Sequence, residues 1–86
     1  MVSEEKYLAN QVWDVLVKEA GASEAQRTDF VHSFPTPEYR FQGDLGFGGK
    51  VWYDHGRMKV TCYTEDITDE RLDIISRVNA KLAAFT

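Results

Sequence analysis

Residues 43–51, Gly43-Asp44-Leu45-Gly46-Phe47-Gly48-Gly49-Lys50-Val51, first suggest phosphate chemistry. A glycine loop closed by lysine cradles phosphate when a glycine opens it, Ser or Thr follows the lysine, and a helix begins there. Here Asp44 stands where the opening glycine belongs, Val51 follows Lys50, and a strand pattern comes next. Gly46-Phe47-Gly48 also fails the dinucleotide pattern, because Val51 occupies the position of its last glycine. The run reads instead as a wide connection anchored by Leu45 and Phe47. Cys62, His55 and His32 raise nucleophilic or metal chemistry. In a strand, the seven residues from His55 to Cys62 span about 23 Å at ~3.3 Å per residue. Cys62 therefore cannot form a dyad with His55 and reads as a small core residue. No two His or Cys residues have ligand spacing, so no metal or other cofactor is expected.

Glu65, Asp66, Asp69, Glu70 and Asp73 cluster where the last helix should start. Acidic residues at a helix start complement its dipole, and the rest would face solvent. The functional alternative is an acidic patch that meets a basic surface, such as the nucleic-acid channel of another protein. No two of these carboxylates have contrasting surroundings, so none is marked as an acid–base couple.

The elements that must position these residues follow from hydrophobic period. Ser3 is a candidate N-cap, with Glu4 and Glu5 in the first turn and Gly21 as the stop. Between them Leu8, Val12, Val15 and Leu16 run at helical spacing toward Glu19. Ser23-Glu24-Ala25-Gln26 matches a capping box that starts a short helix with Phe30, Val31 and Phe34 at its apolar end. Pro35 and Pro37 then force an extended exit. Glu38–Gln42, Lys50–Asp54 and Arg57–Tyr63 read as strands. Thr68 caps the last helix, Ile67 can staple onto Leu72, and Leu72, Ile75, Val78, Leu82 and Phe85 form its stripe. The expected fold is α+β, a three-stranded antiparallel sheet with helices 4–20 and 68–84 on one face, in the order α-α-β-β-β-α.

His55-Gly56 reads as a two-residue hairpin turn, which would set Asp54 opposite Arg57, Trp52 opposite Lys59, Lys50 opposite Thr61 and Gly49 opposite Cys62. Side chains alternate across a sheet. Tyr53, Met58, Val51, Val60 and Cys62 would then face the helices. Asp54, Arg57, Trp52, Lys59, Lys50, Thr61 and Tyr63 would face outward, a net positive surface with two large aromatics. Trp52 could simply stack on Lys59 and Tyr63 cover an edge. The functional reading is a contact surface of Arg40, Lys50, Trp52, Arg57, Lys59 and Tyr63. Aromatic rings beside basic groups suit a protein interface or stacked single-stranded nucleic acid.

Ten Lys and Arg against fourteen Asp and Glu give a net charge of −4, which disfavours a generic phosphate-backbone binder. Eighty-six residues suit one domain, 1–86, with 43% hydrophobic composition and no internal disulfide possible from one cysteine. No apolar run reaches membrane-spanning length, and the start lacks a signal-peptide pattern, so a cytoplasmic location is expected.

Glu38–Lys50, together with Cys62-Tyr63-Thr64-Glu65-Asp66, resembles small uncharacterised proteins of bacteriophage and prophage genomes. That resemblance spans residues 38–66 and implies a short protein made in a bacterial host, acting by binding host components. The sequence thus points to a non-catalytic module that binds a protein partner through the basic-aromatic sheet face. Self-association through that face or a sheet edge is the alternative, followed by single-stranded nucleic acid. No nucleophile, base and oxyanion donor converge to suggest an enzyme.

Overall fold

Trp13 organises the core. In the computed structural model, which describes residues 4–43 and 47–85, its ring is fully buried. It lies 5.0 Å from Phe30 and meets Tyr39 and Phe41 edge-on at 6.0 and 6.1 Å. Its indole N–H donates to the Ser23 carbonyl at 3.3 Å, so the one polar atom of the ring is satisfied. One residue thereby ties a helix to a second helix and to a strand.

The elements run α1 (Glu4–Ala20), a 3₁₀ turn (Glu24–Gln26), α2 (Arg27–Ser33), β1 (Glu38–Gln42), β2 (Gly48–Asp54), β3 (Lys59–Tyr63) and α3 (Asp69–Leu82). A 3₁₀ turn, Ala83–Phe85, ends the described chain. The strands form an antiparallel meander in the order β1-β2-β3. Phe41, Val51, Val60 and Cys62 share one core with Trp13 and Leu16 of α1 and Val78 and Leu82 of α3. This is the α+β arrangement that the pattern of periods predicts, with helices on one side of the sheet.

The buried stripe of α1 is Ala9, Val12, Trp13, Leu16 and Ala20. It is turned by about one residue from the expected Leu8–Val12–Val15–Leu16 line, because the wide indole claims the centre of the contact. Leu8 and Val15 flank it, half-buried. Gly21 takes φ +65° and lets the Ala22 N–H turn back to the Leu16 carbonyl at 3.1 Å. The predicted N-cap, Ser3, lies outside the described residues.

Only half of the Ser23–Gln26 capping box forms. The Ser23 hydroxyl accepts from the Ala25 N–H at 3.3 Å, but the Ser23 N–H donates to the Gln42 carbonyl at 3.0 Å. The Gln26 side-chain oxygen in turn accepts the Gln42 N–H at 2.9 Å. Both groups serve the outer edge of β1 instead of the helix start. Arg27 pins this corner to α1, with bonds to Glu24 at 2.8 Å and to Asp14 at 2.6 Å. In α3 the Thr68 hydroxyl accepts from the Arg71 N–H at 3.2 Å, as a cap should. Val78 and Leu82 are buried, whereas Ile67 and Leu72 stay exposed, so the expected staple buries little.

Gly49 is required by packing. A Cβ there would stand 2.7 Å from two atoms of the Phe41 ring, itself wedged between Trp13 and Phe47. Gly49→Ala should therefore cost about 1–3 kcal/mol of stability, as overpacking does. A urea titration read by circular dichroism checks this; an unchanged midpoint would show that the ring has room to move.

Candidate functional site

The hairpin differs from the two-residue turn expected of His55-Gly56. Asp54 pairs with Lys59, Tyr53 with Val60, Trp52 with Thr61, Val51 with Cys62 and Lys50 with Tyr63. Four residues, 55–58, therefore make the turn. The Asp54 carboxylate accepts the Arg57 N–H at 3.3 Å, a side-chain closure that outweighs the tighter turn. Met58, at φ +52°, takes the left-handed position that Gly56 was expected to hold. Met58 is 69% exposed, not buried, and Arg57 belongs to the turn rather than the sheet face. The slip is two residues, an even number, so every remaining strand side chain keeps its face.

The open face has three rows. β1 contributes Glu38, Arg40 and Gln42; β2 contributes Lys50, Trp52 and Asp54; β3 contributes Lys59, Thr61 and Tyr63. Trp52 sits on the middle strand between Glu38 and Thr61 and is 42% exposed, so it does not face Lys59 across the ladder. The bases of this face are not all available. Lys50 Nζ lies 2.5 Å from Glu65 Oε1 and 3.9 Å from Glu38 Oε1, and 5.7 Å from the centre of the Tyr63 ring. The Tyr63 hydroxyl donates to Glu38 Oε2 at 3.0 Å, which closes the network.

These contacts set the charge states. The bond to Glu65 raises the Lys50 amine above its usual range, and the same bond lowers the Glu65 carboxyl below its own. Tyr63 is raised by burial first and then by the Glu38 carboxylate. The pair is thus fully charged at neutral pH. Its contribution is lost as pH falls through the lowered pKa of Glu65 or rises through the raised pKa of Lys50. Thr64 places Glu65 for this role: its buried hydroxyl donates to the Gly48 carbonyl at 3.0 Å and accepts the Asp66 N–H at 3.2 Å.

The surface expected to be net positive is therefore balanced. Glu38 and Glu65 join it, Arg57 leaves it, and three carboxylates (Glu38, Asp54, Glu65) stand against three bases (Arg40, Lys50, Lys59). The sequence hid this, because Glu38 reaches the face only through the β1–β2 register and Glu65 only through the turn after β3.

The acidic cluster is likewise divided. Glu65 faces the sheet, Asp66 pairs with Arg71 at 3.4 Å, and Asp73 pairs with Arg77 at 2.9 Å. Asp69 and Glu70 remain exposed in the first turn of α3. Between Arg40, Lys50, Gly48, Glu65 and Arg71 runs a groove of ≈ 320 Å³ at the end of the sheet. In the glycine run, Phe47 is buried and Gly48 and Gly49 begin β2; Asp44, Leu45 and Gly46 lie outside the described residues.

No family model, curated protein or solved structure matches the chain.

Cys62 sits opposite Val51, not Gly49, and is 1% exposed. Burial pushes its thiol up to about 12, so it stays protonated and unreactive at neutral pH. A thiol reagent should label it slowly in the native protein and quickly in denaturant. Rapid native labelling would show that the edge of the core opens. Among the described residues no three His, Cys, Asp or Glu side chains converge as metal ligands.

Asn79 was not singled out by its type or spacing, yet it governs one edge of the sheet. Its side-chain oxygen accepts the Cys62 N–H at 2.8 Å and its amide donates to the Cys62 carbonyl at 2.9 Å. A single α3 side chain thus mimics a neighbouring strand at the outer edge of β3. Ser23 and Gln26 do the same at Gln42 of β1. Both edges are thus bonded at these positions, Cys62 on β3 and Gln42 on β1.

Proposed function

We propose that this chain is a small non-catalytic binding module that contacts a protein partner through the open sheet face, with Trp52 at the centre of the contact. The observation that carries this reading is the exposed indole on the middle strand, on the sheet face opposite the core that the described helices share. Trp is enriched at the centres of protein interfaces, where a ring of polar contacts excludes water around it. Here Glu38, Lys50, Tyr63 and Glu65 form a polar flank beside Trp52 and toward one end of the sheet, already held in place by their own bonds. A preordered flank loses less side-chain entropy on binding.

Single-stranded nucleic acid fits less well. A phosphate-binding face needs surplus positive charge, whereas this one is balanced within a chain of net charge −4. The resemblance of residues 38–66 to small phage and prophage proteins supports a partner in a bacterial cytoplasm. Among the described residues, no helix is long and apolar enough to cross a membrane.

The test compares the wild-type chain with Trp52→Ala and, as a control on a distant exposed aromatic, Tyr7→Ala. Light scattering should find all three monomeric. Immobilised in bacterial lysate, the wild-type and Tyr7→Ala proteins should retain one defined protein that Trp52→Ala loses. Retention by all three would remove Trp52 from the contact. A dimer that Trp52→Ala converts to monomer would assign the face to self-association. Retention of a nucleic acid lost in Trp52→Ala would replace the protein partner.

A further inference from the structure

We infer that the partner surface recognised by this face is acidic, with carboxylates placed on both sides of the Trp52 contact. This rests on the reading of the open face as a protein-binding surface and adds the chemistry of what binds there. The warrant is how the charges on the face are used. Each of its carboxylates is engaged: Glu38 by Tyr63 and Lys50, Glu65 by Lys50, and Asp54 by the Arg57 backbone and, at 4.0 Å, its guanidinium. Two bases make no hydrogen bond or ion pair among the described residues: Lys59, and Arg40, whose charge acts on Glu65 and Lys50 only at longer range; both are exposed.

The face is balanced by count, but what it offers a newcomer is two cations. They lie on opposite edge strands. Arg40 pairs with Lys50 and Lys59 with Asp54, so they are offset by four residues along β2 on either side of Trp52. With ~3.3 Å per residue along a strand and ~4.8 Å between strands, their backbones are about 16 Å apart on a diagonal that crosses the indole. An apolar contact flanked by two acids at that separation complements this pattern. The groove beside Arg40 gives one of those acids a recess lined by three bases, Arg40, Lys50 and Arg71, against two carboxylates, Glu65 and Asp66.

Nucleic acid would also supply anions, but its closely spaced phosphates would meet Glu38 beside Arg40 and Asp54 beside Lys59. Discrete carboxylates can avoid them.

A random 16-residue peptide library displayed against the immobilised protein tests this. Enriched sequences should carry Asp or Glu on both sides of an apolar or aromatic residue. The affinity of a selected peptide should fall on the order of tenfold or more with Trp52→Ala. It should fall about three- to tenfold with the Arg40→Gln/Lys59→Gln pair, with weaker salt dependence. Selection against Arg40→Glu/Lys59→Glu should favour Lys and Arg at the same positions. Neutral or basic enrichment, no enrichment, or an affinity unmoved by Arg40→Gln/Lys59→Gln would overturn the acidic partner. If affinity then still depended on Trp52, the reading of the face would stand without it. Acidic peptides that bind equally well to Trp52→Ala would instead remove the face itself. Tighter binding of oligo-dT than of any peptide would assign the two bases to phosphate.

Discussion

Trp13→Ala should lower the unfolding free energy by about 3–5 kcal/mol, the usual cost of truncating a buried large aromatic. The indole is fully buried, contacts three aromatic rings and donates to the Ser23 carbonyl. Its removal would empty the junction of α1, α2 and β1, and the surrounding rings cannot collapse into the space without leaving their own contacts. A domain of this length has a total stability of roughly 4–13 kcal/mol. The variant should therefore melt far below the wild type or be partly unfolded at 25 °C. Urea titration by circular dichroism measures the loss. A cost under about 1 kcal/mol would mean that Trp13 is not the centre of the core.

Asn79→Ala should cost about 2–3 kcal/mol, because it leaves both the Cys62 N–H and its carbonyl without their partner at the edge of β3. Asn79→Asp should not rescue it. A carboxylate can accept the Cys62 N–H but sets a second acceptor against the Cys62 carbonyl. Both variants should speed hydrogen exchange at the Cys62 amide more than at the Val51 amide on the middle strand. Equal stability of the Asp and Asn proteins would show that only one of the two bonds matters.

Element types were legible because hydrophobic period and punctuation agreed. Thr68 followed by Asp69 and Glu70 marked the start of α3, and Glu38–Gln42 alternates as β1 does. The faces of the hairpin were legible even though its turn was not. The Asp54–Arg57 closure moved the register by two residues, and an even shift preserves sidedness. Met58 paid for that shift, since the residue expected in the core became the last residue of the turn.

What could not be read was pairing across distance. Glu38 and Glu65 neutralise Lys50 from a neighbouring strand and a later turn. Gln26 looks like a helix cap in the sequence and serves a strand edge in the fold. Asn79 is an ordinary helix residue until β3 is placed beside it. Each depends on tertiary geometry that local spacing does not encode. Trp13 was visible as a residue but not as the centre, because periodicity marks a face of a helix and not which side chain dominates it.

The open face as a partner surface is tested most directly by photo-crosslinking from position 52. The chain, carrying p-benzoylphenylalanine in place of Trp52, would be irradiated in bacterial cells beside a control carrying it in place of Tyr7. Position 52 should give one defined adduct to a protein, of a mass other than twice that of the chain itself, and position 7 should not give that adduct. An adduct formed equally from both positions, or from position 7 alone, would contradict the assignment of the sheet face as the contact surface.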